Sequence, residues 1–516
     1  MNNSRTINSL KNIITGFFGQ FVQLGISFVN RIVFVRCLSE AYLGVNGLFT
    51  NVLSMLSLAE LGISSAISYA LYKPLAYKDN SKIASLMKFY ANAYRIIGCV
   101  IAAVGLSLVP FLNKIVADPG SIKEDIRIVY LFFLMNTVLS YFYSYKTTLI
   151  TADQKSYLIS TISYIVLFFQ TIIQIIILFL TKNYLLYLIC QSIGTLITNI
   201  LLAKAADKYY PIIKQKSVKK LSLEDKRSLF SNIKALMIIK ISGVLVNSTD
   251  NIIISATKGL GLISTGIASN YTLLTTTLSS VINQIFTGIT ASVGNVNAVS
   301  DSAGKKTIFN VINLMNFWLY GWSSLGFLFL ANDIILILFG EKYILSSNVV
   351  FILAVNYYTV GMQNAIWTYK NTLGLFNYGK YLVLITGLIN IILSVNLGKI
   401  YGLFGIFFAT FLSRLFTNLW YDPYSVFKYG LNESVNQYIK KYMLYLLIIF
   451  IDYLLIRGIL SICYVNNGFM INFSLKLLLC VFVPNIVNHL FFYKTEEYRY
   501  ILSKFKFLIR KIHKRK

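Results

Sequence analysis

Long apolar runs follow one another along most of this chain, and they constrain its fold more than any other feature. A helix needs about 20 mainly apolar residues to cross the roughly 30 Å hydrocarbon core of a bilayer. Because backbone groups in lipid must be hydrogen-bonded internally, each such run predicts a transmembrane helix. About fourteen runs qualify, near residues 12–36, 42–72, 89–112, 127–149, 157–180, 184–206, 234–257, 262–297, 307–331, 345–369, 381–398, 402–421, 441–461 and 470–493.

The composition supports an all-α polytopic membrane protein. Hydrophobic residues make up 56% of the chain and charged residues only 13%, too few for a surface that faces water on all sides. The net charge of +28 is spread over short loops and a tail, so no nucleic-acid partner is expected. Most lysines and arginines fall in alternate loops, which predicts that both termini are cytoplasmic.

An internal repeat divides the chain. YKTTLITADQKSYL from Tyr145 and YKNTLGLFNYGKYL from Tyr369 align without gaps at the ends of the fourth and tenth predicted spans. Since six spans separate the copies, the two lobes have the same orientation in the membrane. We predict an N-terminal six-helix lobe at 1–206, a cytoplasmic linker at 207–233 and a C-terminal six-helix lobe at 234–425. Two additional transmembrane helices follow at 426–493, and a basic cytoplasmic tail on anionic lipids at 494–516.

The chain lacks the usual signs of catalysis. It has no glycine-rich phosphate loop after a strand, and its two histidines lie at the end of the last span and in the tail. Its five cysteines show no CxxC spacing. We expect no enzyme activity, no catalytic residue, no metal site and no cofactor.

Three features together resemble a known family: the run YLGVNGLFTNVLSMLSLAELGISSAI, the later STDNIIIS and the arrangement of six plus six spans. They are similar to Wzx-type oligosaccharide flippases of the multidrug/oligosaccharidyl-lipid/polysaccharide (MOP) exporter superfamily. The resemblance implies MATE-like paired lobes around a cationic cavity. It also implies that the protein transfers polyprenyl-diphosphate-linked oligosaccharide to the outer leaflet of the bacterial cytoplasmic membrane by alternating access. The oligosaccharide would serve capsule or other cell-surface polysaccharide. A polysaccharide polymerase and glycosyltransferases are the implied protein partners.

Five cations are candidates for binding the diphosphate. Arg31 is the first, because a guanidinium can donate to two phosphate oxygens at once; the alternative is that it extends to the headgroups. Arg95 and Arg414 also lie within predicted spans, and Arg95, near the inner end of its span, could instead extend to the headgroups. Lys146 and Lys370 occupy matched repeat positions at the inner mouth, where they either capture the substrate or anchor to headgroups.

Acidic and amide side chains inside the spans form a second group of candidates. Glu60 is expected either to pair with a cation or to couple transport to H+ or Na+. Asp250, the other coupling candidate, lies in VNSTDNIII with Asn247 and Asn251. These side chains either face the cavity and the substrate or form hydrogen bonds between helices.

Two other functions remain open at this point. A multidrug exporter of the same superfamily would favour an acidic cavity for cationic drugs, whereas lysine and arginine dominate the charges within these spans. A membrane polysaccharide polymerase would be expected to have a large outer loop bearing arginines and an acid or base. The longest predicted outer connections, 113–126 and 332–344, are short.

Overall fold

The computed structural model consists of helices in the part of the chain that it describes. Those residues are 2–56, 77–112, 122–153, 155–215, 249–299, 301–375, 378–463 and 468–503, with the short pieces 63, 67, 70–71, 74–75, 116, 221–223, 226–227, 229–230 and 465. Glu60 and Asn247 lie outside the described residues, and so do parts of the predicted spans 42–72 and 234–257 and of the linker.

Fourteen α-helices occur within those ranges. They are α1 Asn2–Cys37, α2 Glu40–Leu56, α3 Asn80–Leu108, α4 Ile126–Ala152, α5 Ser156–Thr181, α6 Tyr184–Tyr209, α7 Asp250–Ala256, α8 Gly261–Val299, α9 Ser302–Phe339, α10 Ser347–Thr372, α11 Lys380–Leu415, α12 Asn418–Ser425, α13 Asn436–Cys463 and α14 Phe469–Phe492. Nine helical stretches of the described chain are long and apolar enough to cross a membrane. The predicted all-α polytopic fold is therefore confirmed.

Short polar side chains set the starts of four helices. Asp79, Asp125, Asn183 and Asp301 precede α3, α4, α6 and α9, and each side chain accepts a hydrogen bond from a backbone N–H of the first turn. These N–H groups have no partner within the helix, so the caps stabilise each start. The loop residues thus decide where these helices begin.

The described residues form two compact units. The first comprises Met1–Ser269 with Gly398–Gly402, and the second comprises the rest of the chain from Asn270. In the first unit α1 packs on α5, α4 packs on α3 and α6, and α2 contacts α7. In the second unit α9 packs against α10 and α14, and α13 packs against α14.

Apolar side chains are exposed along several of these helices, as expected of lipid-facing surfaces. On α5 the exposed residues include Phe168, Ile172, Ile176 and Leu180, and the last of these is 80% exposed. In water such a surface would cause aggregation, whereas in lipid it costs nothing. The chain is a multi-pass membrane protein.

Buried polar side chains join the two halves of α11. Gly402, with φ of 59°, interrupts this element, and the halves on either side of it contact each other. Asn390 Nδ2 donates to Thr410 Oγ1 over 2.9 Å, and Ser394 Oγ donates to the carbonyl of Ile406 over 3.5 Å. All three side chains are at most 4% exposed. Interhelical hydrogen bonds therefore hold these halves together within the apolar interior.

Candidate functional site

Arg31 lies in α1 and its guanidinium is directed at α8. Its Nη2 atom donates a hydrogen bond to Ser269 Oγ over 2.6 Å. The Ser269 hydroxyl in turn donates to the carbonyl of Gly266 over 2.7 Å, which leaves its oxygen oriented to accept from Arg31. Arg31 is half-buried. The contact holds a charged group within the predicted span 12–36, and an ionised side chain inside a membrane span usually serves a function.

An amide and phenol network lies beside Arg31 and was not predicted from the sequence. Asn30 Nδ2 donates to the hydroxyl of Tyr187 over 3.1 Å and approaches Gln174 Oε1 at 3.5 Å. Gln174 is 1% exposed, and the Tyr187 ring packs edge-on against Phe34. Two features of the sequence could have indicated this network: Asn30 is next to Arg31, and Gln174 begins the apolar run QIIILFL. The network ties α1 to α5 and α6 and so fixes the base of the Arg31 side chain.

Two glycines allow α2 to approach the start of α8 at backbone distance. A Cβ atom on Gly44 would lie 2.0 Å from the carbonyl oxygen of Leu262. A Cβ atom on Gly266 would lie 2.4 Å from the carbonyl oxygen of Glu40. No other residue fits such spacing, which is typical of small-residue contacts between transmembrane helices. This glycine crossing positions Ser269, one turn further along α8, for Arg31.

The same crossing brings Asn251 into the site. A Cβ atom on Gly47 of α2 would lie 3.4 Å from Asn251 Nδ2 and 3.8 Å from Ser269 Cβ. Asn251 and Ser269 therefore line the same stretch of α2, and Arg31 contacts Ser269 directly. Asp250, the first residue of α7, is half-buried and adjacent to Asn251 in sequence. The structure thus places two predicted site residues, Arg31 and Asn251, around Ser269.

The other predicted cations lie elsewhere. Arg95 is exposed on α3, on a shallow surface groove that it shares with Ile96, Cys99 and Val100. Arg414 belongs to the second unit, where it is half-buried near the end of α11 beside the buried Ser413. Binding of substrate by either arginine stays a prediction.

The repeat-related lysines each form an ion pair within their own unit. Lys146 Nζ lies 2.6 Å from Asp207 Oδ1, at the end of α6. Lys370 Nζ lies 2.5 Å from Asp422 Oδ1 in α12, and Trp367 Nε1 also donates to this carboxylate over 3.3 Å. The two repeat copies therefore share an arrangement that their alignment did not identify. In each, the lysine pairs with an aspartate that lies further along the chain.

We expect loss of the second of these pairs to destabilise the protein. The side chains of Lys370 and Asp422 are only 13% and 4% exposed, so Asp422→Asn leaves a buried ammonium without its counter-charge, at a cost of about 3–5 kcal/mol. The double variant Lys370→Met with Asp422→Leu should recover much of this loss, because it removes both charges. Thermal unfolding of the detergent-purified protein measures the effect.

The matched control is Glu433→Gln. Glu433 pairs with Lys306 over 2.8 Å, but its side chain is 32% exposed and water screens the pair. We expect Glu433→Gln to lower the midpoint of unfolding far less than Asp422→Asn. Equal shifts for the two variants would contradict a buried, tightly coupled pair at Lys370.

Solved structures with the same fold are membrane transporters and flippases. A lipid II flippase MurJ in an inward closed conformation matches with a TM-score of 0.60 and 18% identity, over 93% of this chain and 98% of that chain. An inward-facing multidrug resistance MATE family transporter of the MOP superfamily matches with a TM-score of 0.58 and 12% identity, over 78% and 93%. A mutant of the Vibrio cholerae MATE transporter VcmN matches with a TM-score of 0.57 and 11% identity, over 84% and 98%.

The sequence itself shows a family. A comparison with curated proteins gives no match. Residues 9–293, more than half of the chain, match the family described as polysaccharide biosynthesis protein. This range contains most of α1, all of α2 to α7, most of α8 and the whole Arg31 site. The predicted resemblance is confirmed for family and fold: solved MOP-superfamily transporters share the fold, and the chain belongs to the polysaccharide biosynthesis protein family.

Proposed function

We propose that this chain is a flippase for polyprenyl-diphosphate-linked oligosaccharide repeat units, which it moves from the inner to the outer leaflet of the bacterial cytoplasmic membrane for capsule or other cell-surface polysaccharide. The observation that carries the proposal is the Arg31 side chain, which Ser269 holds at 2.6 Å within the predicted span 12–36. A guanidinium there is suited to a diphosphate, since its planar donors match two phosphate oxygens. The family and the lipid II flippase likeness support this class of substrate.

In this mechanism the sugar crosses in a water-filled cavity while the polyprenyl tail stays in lipid. Arg31 binds the diphosphate, Asn247 and Asn251 hydrogen-bond the headgroup, and Arg95 and Arg414 add positive charge. Lys146 and Lys370, near the inner mouth, draw in the anionic substrate while remaining paired to their aspartates. The six-helix lobes, 1–206 and 234–425, alternate access to the two sides.

Coupling is assigned to the acidic residues Glu60 and Asp250. Binding of H+ or Na+ to these carboxylates would change the charge near the substrate. The membrane potential adds to this, because each elementary charge moved through 100 mV is worth about 2.3 kcal/mol. A diphosphate that moves outward from an inside-negative compartment is therefore favoured.

Deletion of the gene followed by analysis of lipid-linked intermediates tests the proposal. We expect complete repeat units to accumulate on the cytoplasmic side, because sugars do not cross hydrocarbon unaided. Re-expression of the wild-type chain should restore the surface polysaccharide. Unpolymerised units on the outer face would instead identify a polymerase. Normal polysaccharide with increased drug sensitivity would identify a multidrug exporter.

A further inference from the structure

Asp452 lies near the middle of α13 and is 1% exposed. The buried residues of this helix recur at helical spacing and form one stripe: Tyr438, Tyr445, Ile448, Asp452 and Ile456. The opposite face carries exposed apolar side chains, such as Phe450 at 56% and Leu454 at 50%. The only acid of the helix is therefore on its packed face, where an ionised group is most costly.

The surroundings of Asp452 on the stripe are apolar. Ile449, one turn before it, lies against α9, since a Cβ atom on Gly321 would be 3.5 Å from Ile449 Cδ1. Ile456, one turn after it, packs with Leu330 of α9 and Cys480 of α14. Asp452 is thus placed at the seam between α9, α13 and α14, all within the second unit.

Asp452 has no counter-ion among the residues that the structure describes. Its Oδ1 atom is buried and has no hydrogen-bond partner within the described ranges. The neighbouring acid Asp333 differs, because its Oδ2 atom lies 2.7 Å from Lys476 Nζ. Lys476 of α14 therefore pairs with Asp333 and not with Asp452.

The other titratable groups near this seam do not supply a charge partner. On α14 they are Cys480 and, towards its end, His489, whose Nδ1 contacts the hydroxyl of Tyr498. On α9 no titratable residue occurs between Tyr320 and Asp333. On α13 itself, Tyr445 stacks on Phe317 and Arg457 donates to the hydroxyl of Tyr453 on the exposed side.

Pro484 leaves a gap in the backbone hydrogen bonds of α14. Proline has no N–H, so within α14 it cannot bond the carbonyl of Cys480 four residues earlier. Cys480 packs against Ile456, one turn from Asp452. A carboxylic acid carries no charge and can donate a hydrogen bond whereas a carboxylate cannot, so an apolar seam suits the protonated form.

We propose that Asp452 is a proton-binding site of the C-terminal helices: it carries a proton while α13 is packed on α9 and α14, and releases it to water when this seam becomes hydrated. An isolated carboxylate in an apolar interior is strongly disfavoured. Ionisation of Asp452 therefore favours a conformation in which water reaches the seam. This inference does not depend on the identity of the transported substrate. It also adds a third acid to the coupling residues Glu60 and Asp250.

Infrared spectroscopy of the full-length protein in nanodiscs tests the site directly. We expect the wild type to show a protonated carboxyl band that weakens as the pH rises. Asp452→Asn should lose one component of the band, while the control Asp333→Asn should keep that component. An undiminished band in Asp452→Asn, or a wild-type band that does not change with pH, would overturn the proposal.

A second measurement covers the case in which Asp452→Asn does not fold. Dicyclohexylcarbodiimide reacts with protonated carboxyl groups in apolar surroundings, and mass spectrometry of the wild-type protein locates the adduct. We expect labelling of Asp452 in preference to the ion-paired Asp333, with a decrease as the pH rises. Equal labelling of both residues, or none on Asp452, would contradict a buried carboxylic acid.

Discussion

Gly44→Ala should strongly reduce flipping even though it adds only one methyl group. That methyl group would lie 2.0 Å from the carbonyl oxygen of Leu262, a backbone atom that no rotamer change can move. The helices α2 and α8 would have to separate, and Ser269 would move away from Arg31 with them. Gly266→Ala should have the same effect, because its methyl group would lie 2.4 Å from the carbonyl oxygen of Glu40. We expect a reduction of at least about tenfold in transport, since a shift of even 1 Å misplaces a binding group.

Two other glycines, one in α1 and one in α2, provide the controls for this prediction. Gly25→Ala in α1 meets no atom within 4 Å, and Gly47→Ala in α2 meets Asn251 Nδ2 only at 3.4 Å. Both variants should transport almost normally. Transfer of lipid-linked oligosaccharide in proteoliposomes measures the four variants, and thermal unfolding checks that each is folded. Near-normal transport by Gly44→Ala would mean that the glycine crossing is not required during the cycle.

The two glycine variants should also be non-additive. Gly44 and Gly266 belong to one contact, as a Cβ atom on Gly266 would also lie 3.0 Å from the backbone N of Gly44. Once the first substitution has separated the helices, the second has little left to disrupt.

The helices themselves were largely predictable, because hydrophobicity in lipid acts on each segment independently. The predicted spans 157–180 and 345–369 lie close to α5 (Ser156–Thr181) and α10 (Ser347–Thr372). Differences arise where a helix continues beyond its apolar part. Span 89–112 was predicted too short at its start, since α3 begins at Asn80 with Asp79 as its cap. Hydropathy reports the apolar length of a helix, whereas capping and backbone hydrogen bonds decide its full length.

Partners of the charged residues were not predictable in the same way. Lys476 lies in the predicted span 470–493 and Asp333 in the predicted outer connection 332–344, yet α9 continues to Phe339 and the two side chains meet at 2.7 Å. Arg31 and Ser269 are far apart in the sequence and on helices whose relative rotation no local pattern sets. Which faces of two helices meet depends on small-residue contacts such as Gly44 with Gly266, and their significance is visible only once both backbones are placed.

Arg31→Ala should weaken binding of the diphosphate more than any other single substitution of a cation. A hydrogen bond to a charged group contributes about 1.5–3 kcal/mol, so loss of a guanidinium that forks onto two oxygens should raise the Kd by roughly 10- to 100-fold. Arg31→Lys keeps the charge but loses the planar donors, and we expect an intermediate loss. Ser269→Ala should produce a smaller defect, since it removes the 2.6 Å contact that orients the guanidinium but leaves its charge in place.

Binding of polyprenyl diphosphate to the purified protein in nanodiscs, compared with polyprenyl monophosphate, separates this role from a structural one. Wild type should prefer the diphosphate, and Arg31→Ala should lose most of this preference, because the second phosphate no longer meets a donor pair. The matched control is Arg36→Ala, which removes an exposed arginine from the last turn of the same helix. If Arg31→Ala folds normally and retains the preference shown by Arg36→Ala, then Arg31 holds α1 against α8 and the diphosphate binds elsewhere.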